Sequence, residues 1–242
     1  MSSDALLLDR LLDVPRYQGA VSAVRTHTAA GWAHLSWHEL HVAVRRAAGG
    51  VGARGDSVDW SADRGGDQLV LDLAHQFAGV VGAMGPNGSP RAGGSDDPGR
   101  LVRMRQEVRP RDPAARVGER VIDHGEVAAR AASASKRLCP KPGSLPDVVL
   151  STVDAATERL LGWACTWGGH TLVCADPSTL DVVDPTTWVC TPEQWRASTL
   201  VGASSVARLR GLAPRLRRVF VLGAVPASPL APPHVEVGPW TH

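Results

Sequence analysis

The sequence predicts an α/β protein in which strands and helices alternate and the sheet is substantially parallel. Three observations predict this class. First, through the second half, "DVVLS" (147–151), "HTLVCA" (170–175), "TTWVC" (186–190) and "RRVFVLG" (217–223) read as strands separated by helical stretches. Second, helix starts carry explicit caps: Ser36 with Glu39, Asp123 with Glu126, and Thr191 with Pro192 and Gln194. Third, 43% apolar and 21% charged residues over a 242-residue chain are the proportions of a globular protein with a sizeable core.

The elements follow in order. "DALLLDRLLD" starts as an amphipathic helix with Asp4 as its cap. "AVSAVRTH" (20–27) alternates as a strand does, and Gly31 marks a hairpin turn. The Ser36–Glu39 capping box opens a helix with Leu40, Val44 and Ala47 at helical spacing, closed by Gly49 and Gly50. "GDSVDW" is a short strand. "DQLVLDLAHQFAGVVGAM" (67–84) reads as one mostly buried helix with Leu69, Leu73, Phe77 and Val80 along a face. The spacing predicts further helices over 122–138, from Asp154 to about Trp167, after Thr191, and over Ser204–Gly211. The Gly/Pro/Ser-rich stretch 84–100 divides the chain into an N-terminal α/β half, 1–83, and a second half, 101–242, packed on it. No internal repeat is present.

Net charge is only +2, from 26 basic and 24 acidic residues, so nothing calls for nucleic acid as a partner. Lys136 and Lys141 are the only lysines. The Arg skew reads as the codon bias of a GC-rich, actinobacterial genome. Eight tryptophans against two phenylalanines and one tyrosine suggest that several line partly polar clefts. Cys139, Cys165, Cys174 and Cys190 form no CxxC pair and read as buried free thiols. Without a signal sequence or an 18-residue apolar run, the expectation is a cytoplasmic protein away from membranes.

Three constellations have plainer explanations. His34, His38 and His41 surround Glu39, but a helical zinc motif needs histidines at i and i+4, and Glu39 already serves a capping box. No metal site is expected. Arg54-Gly55-Asp56 is a turn before a strand. Cys139, near Lys136 and Arg137, is read as a helix end before Pro140 rather than an activated thiol. In "RVGERVIDHGEVAARA", Asp123 and Glu126 act as caps, which leaves only His124 without a structural task.

The order of segments resembles the AMP-forming acyl-CoA synthetases, the acyl-adenylating, luciferase-like superfamily. "LSWHELHVAVRRAAGGVGARGDSV" is similar to that family's "T-Y-x-E-L" helix and "G-D-x-V" strand. "LVLDLAHQFAGVVGA" is similar to its next helix, and "RPRDPA" (109–114) to the segment before its phosphate loop. "VDPTTWVCTPEQW" resembles the "P-T-x-x-x-x-V-P-x-x-W" segment through Pro185, Thr186, Pro192 and Trp195. "LRRVFVLGAVP" resembles the strand before the adenine-contacting turn, here Gly223 to Pro226, and "VGPWTH" a decayed "Y-G-x-T-E". The resemblance implies the fold of the N-terminal domain of these enzymes.

Departures from the pattern shape the functional expectation. Where the family has a Ser/Thr/Gly-rich phosphate loop ending in Lys, this chain has "ARVGERVI" (115–122), with one Gly and no Ser, Thr or Lys. His242 stands where the Mg-linked Glu belongs, and the ribose-binding Asp and the C-terminal domain with its Lys have no counterpart. The resemblance therefore implies a degenerate member that has lost ATP and Mg binding, does not adenylate unaided, and binds a small carboxylic, acyl or aromatic ligand, or a partner synthetase or carrier protein. A homo-oligomer is also open. The alternative is an enzyme recruited to a non-adenylating step of secondary metabolism, with His124 or Asp154 as general acid or base. The family's acyl pocket maps onto Trp163, Trp167, Gly168, Cys190, Thr191, Gly223, Ala224, Val225 and Pro226.

Overall fold

Two sheets enclose a shared layer of helices. The computed structural model describes residues 5–60, 65–84, 97–139, 147–199, 211, 213–225 and 235–240. In the N-terminal third lie α1 (Leu7–Asp13), α2 (Pro15–Gln18), β1 (Ser22–Thr28), β2 (Gly31–Ser36), α3 (Trp37–Ala47), β3 (Ser57–Trp60), α4 (Gly66–Ala78) and β4 (Val81–Met84). Then come α5 (Arg100–Glu107), β5 (Pro113–Val117), β6 (Arg120–Asp123), α6 (His124–Leu138), β7 (Val148–Ser151), α7 (Ala155–Gly168) and β8 (Thr171–Cys174). After a single 3-10 turn at Pro177–Thr179 follow α8 (Leu180–Val183), β9 (Thr187–Cys190), α9 (Pro192–Thr199), β10 (Arg218–Leu222) and β11 (Glu236–Trp240).

The large sheet has the order β11-β10-β9-β7-β8-β1-β2 and the small sheet β3-β4-β5-β6. Among the described residues, only the edge hairpins β1–β2 and β5–β6 are antiparallel; the remaining pairs are parallel. The fold is thus α/β with a mostly parallel sheet, as the alternation of elements predicts. Both sheets draw strands from either side of residues 85–96: β1 pairs with β8, and β4 with β5.

Central strands are buried on both faces, which the pleat resolves residue by residue. Val149, Leu172 and Val189 face the helices between the sheets, where they join Leu73, Phe77, Val127 and Leu161. Their neighbours Leu150, Val173 and Cys190 face outward under Trp188, Trp195 and Leu180. Six of the eight tryptophans are nearly or fully buried, so most serve the core rather than clefts.

Several expectations need correction. Residues 67–84 are not one helix. α4 stops at Gly79, whose φ of +68° is left-handed, and Val81–Met84 becomes a strand between β3 and β5. Its apolar run fits either state; the two flanking strands decide. The helix expected from 122 begins at His124, because Ile122 and Asp123 complete β6. "VGPWTH" contributes β11, parallel to β10. Elements α2, α5 and α8 carry too few periodic positions to be read from sequence. Asp4, Pro226, Thr241, His242 and nearly all of Ser204–Gly211 lie outside the described residues. The Ser36–Glu39 and Thr191–Gln194 capping boxes form as expected, with Glu39 N–H to Ser36 Oγ at 3.2 Å and Gln194 N–H to Thr191 Oγ1 at 3.3 Å.

Candidate ligand-binding site

A cavity of about 470 Å³ opens where the carboxyl ends of β4 and β5 meet the first turns of α7. Three residues one helical face apart, Ala156, Leu160 and Trp163, form its α7 wall. Ala83, Val117 and Gly118 form the opposite side, and Arg116, Arg130 and Asp154 stand at its edges. Apolar walls with a few convergent charges are the make-up of a small-molecule site.

The floor is a buried polar cluster that sequence reasoning did not single out. Asp72 of α4 accepts from Arg159 Nε at 2.8 Å, from Arg159 Nη2, from the Trp163 indole N–H, and from Gln76 Nε2 at 3.2 Å. Arg159 also donates to the carbonyls of Arg116 (2.8 Å) and Gly82 (3.2 Å), and its guanidinium lies over the rings of Trp60 and Trp163. Helix α7 is thereby tied to β4 and β5. A signal was present: Asp72 is a lone charge inside the apolar run Leu69–Ala74, and a charge in such a place demands a partner.

The basic groups differ in availability. Arg130 is held by Glu126 at 2.7 Å. Arg116 donates from Nη2 to Ser57 Oγ at 3.0 Å and has no carboxylate partner among the described residues. It is therefore the cation best placed to meet an anionic ligand.

The hairpin at Val117-Gly118-Glu119-Arg120 bounds the cavity. Val117 pairs with Arg120, so the turn has two residues, and Gly118 takes φ +61°. This is the interval in which the family resemblance places a phosphate loop. Strand β5 leads into this hairpin and β6 out of it.

The two candidate acid–base residues stand in different surroundings. Asp154 edges the cavity but is the N-cap of α7: it accepts from Ala156 N–H, Thr157 N–H and Thr157 Oγ1, each at 3.0 Å. Partial burial pushes its carboxyl up, but the Thr157 and Ala156 hydrogen bonds outweigh that and hold it below the ordinary value. His124 is 2% exposed and is not among the residues lining the cavity. Burial pushes its imidazole down to about 4, opposed by Asp112 and reinforced by Arg105 and Arg54. Its Nε2 has no hydrogen-bond partner among the described residues.

Among the described residues expected to line an acyl pocket, only Trp163 reaches this cavity. Helix α7 starts at the carboxyl edge of the large sheet and returns to its amino edge, so Trp167 and Gly168 lie at the far end from the turn after β10. There Trp167 sits under the Arg10 guanidinium, 5.1 Å from its centroid. Cys190 is buried on the outer face, and Thr191 caps α9. Gly223, at φ +73°, and Ala224 are exposed at the carboxyl edge, next to half-buried Val225. All four cysteines are buried and free, and burial pushes the thiols of Cys139, Cys165 and Cys190 up, with Asp147 adding to the first two. Cys139 is the C-cap of α6, as expected of a helix end.

No protein-family profile and no curated protein matches the sequence. The fold nevertheless defines a class: it is that of the N-terminal subdomain of adenylating enzymes. In particular, the structure is similar to VinN in complex with L-aspartate, with TM-score 0.69 and 17% identity, covering 93% of this chain and 70% of that one. It is similar to the Klebsiella oxytoca NpsA N-terminal subdomain in complex with anthranilyl-AMSN, at TM-score 0.65 and 15% identity over 91% of this chain and 68% of that one. The fatty acyl-adenylate ligase from L. pneumophila matches at TM-score 0.65 and 10% identity, over 93% of this chain and half (50%) of its own. Such identities establish the fold alone. Among the described residues, no helix is long and apolar enough to cross a membrane.

Proposed function

We propose that this chain binds a small carboxylic or acyl ligand in the cavity over Trp163 and does not activate it as an adenylate. One observation carries the reading: a cavity with apolar walls and Arg116 at its edge is bounded by a two-residue hairpin in place of a phosphate-binding loop. Adenylation requires charge stabilisation at a pentavalent phosphorus, which successive backbone N–H groups of such a loop provide. A β-ladder spends those groups on its partner strand. The solved complexes of fold neighbours with L-aspartate, 3-methylaspartate and anthranilyl-AMSN support a small amino or aromatic acid as the ligand class.

The competing reading, an enzyme using His124 or Asp154 as an acid or base, is disfavoured by the sealed imidazole and by the capping role of the carboxylate. The test is calorimetric titration and thermal shift with a panel of amino, aryl and short alkyl carboxylic acids, alongside ATP–pyrophosphate exchange. Saturable binding of at least one acid without exchange is expected. Robust exchange would overturn the loss of adenylation, and no binding across the panel would overturn the ligand.

A further inference from the structure

At the amino edge of the large sheet, away from the cavity, three ligating side chains converge. The Sγ of Cys139, a carboxylate oxygen of Asp147 and a ring nitrogen of His170 lie within 4.8 Å of one another. Cys139 and His170 are buried and Asp147 is half-buried. The three come from different places: the C-cap of α6, the residue before β7, and the residue before β8. Along α7 the site lies about 20 Å from the cavity mouth, at 1.5 Å rise per residue.

The surroundings hold the three in place. Cys139 N–H donates to Ser135 O at 2.9 Å, the Asp147 carbonyl accepts from Thr171 N–H at 2.9 Å, and His170 N–H donates to Cys165 O at 2.9 Å. Ser135 Oγ is 3.4 Å from His170 Nε2. A side chain at Gly168 would collide with both the imidazole and that hydroxyl, so glycine leaves the room the ring occupies. The nearby Arg218 is offset by Glu236 at 3.4 Å.

We infer that Cys139, Asp147 and His170 form a binding site for a thiophilic divalent cation of the zinc type, clamping the end of α6 to the starts of β7 and β8. One thiolate, one imidazole and one carboxylate, with a water as the fourth ligand, are a donor set that zinc takes in tetrahedral geometry and that hard cations such as Mg do not; the thiol proton of Cys139 leaves to solvent as the metal binds. Tetrahedral bonds of 2.0–2.3 Å place donors about 3.3–3.8 Å apart, so side-chain rotation of roughly 1 Å closes the site. With Nδ1 as the ligating nitrogen, Ser135 at Nε2 is a positioning residue, turning the imidazole as outer-shell partners do. The sequence hides this site because its ligands have no motif spacing; the sheet brings them together. The inference stands independently of the acyl-ligand reading.

Cobalt(II) titration of the full chain tests it. One Co²⁺ per chain should bind with a thiolate-to-cobalt charge-transfer band and tetrahedral visible bands, and Zn²⁺ should displace it. Cys139→Ser should lose the charge-transfer band. Asp147→Asn, a near-isosteric change at a half-buried position, should weaken binding by more than the 10–100-fold typical of losing an outer-shell partner. Cys190→Ser, which removes another buried thiol elsewhere, should keep the full spectrum. A wild-type chain without the band, an unchanged affinity in Asp147→Asn, or loss of the band in Cys190→Ser would each overturn the assignment.

Discussion

Arg159 and Asp72 form an ion pair at 6% and 1% side-chain exposure, joining α7 to α4 beneath the cavity. A pair so buried adds little net stability against an apolar replacement, but breaking it strands a charge. Asp72→Ala is expected to cost about 3–5 kcal/mol. The exposed pair Arg120–Glu126 is the comparator, and Arg120→Ala should stay within about 1 kcal/mol. Urea unfolding midpoints of the two variants measure the contrast, and equal losses would contradict it.

His124 should impose a pH dependence on stability. Its imidazole titrates at about 4 in the folded chain and near its ordinary value of 6.5 when unfolded. The unfolded state therefore binds more protons between those limits, so stability is complete above 6.5, falls as pH drops toward about 4, and levels below. The loss is on the order of 3 kcal/mol, at 1.36 kcal/mol per pH unit. His124→Leu should flatten this limb in urea midpoints taken from pH 7 to 4. A wild-type slope in the variant would place the titration elsewhere.

Asp154 acts as a cap. Asp154→Ala is expected to destabilise by about 1 kcal/mol, while Asp154→Ser recovers most of the loss because a hydroxyl also accepts from the first-turn N–H groups. Thermal melts of both variants decide the matter. A general base would show the opposite pattern, with stability intact and activity lost.

Gly118 is required for its backbone. A Cβ there meets nothing within 4 Å, yet φ is +61°. Gly118→Ala should cost about 1–2 kcal/mol, and Gly118→Asn less, since Asn tolerates the left-handed region. Equal melting temperatures for the glycine and alanine forms would rule out the hairpin geometry.

The cavity should respond to filling and to loss of charge separately. Ala156→Trp occupies the α7 wall and should abolish binding of any acid found in the panel, with the melting temperature preserved because Ala156 is exposed. Arg116→Gln should weaken the same ligand about 10–100-fold, the worth of one charge-assisted hydrogen bond. Titration calorimetry separates the two, and undiminished binding in Ala156→Trp would place the ligand elsewhere.

The sequence by itself determined the class of fold and most element boundaries. Caps such as Ser36–Glu39 and Thr191–Gln194 are local chemistry, complete within four residues, and a strand or helix period is visible wherever one face is buried. It also marked the interval 115–122, where the resemblance places a phosphate loop, by its single Gly and its lack of Ser, Thr and Lys. Tertiary structure decided everything that depends on partners distant in the chain. Val81–Met84 is a strand because β3 and β5 flank it. His124 is sealed, and Asp72 meets Arg159 and Trp163, through packing of helices that no periodicity specifies. Cys139, Asp147 and His170 converge because α6, β7 and β8 share one edge of the large sheet. Side-chain direction along a helix or strand is a local property; which element stands opposite is not, and sites are made between elements.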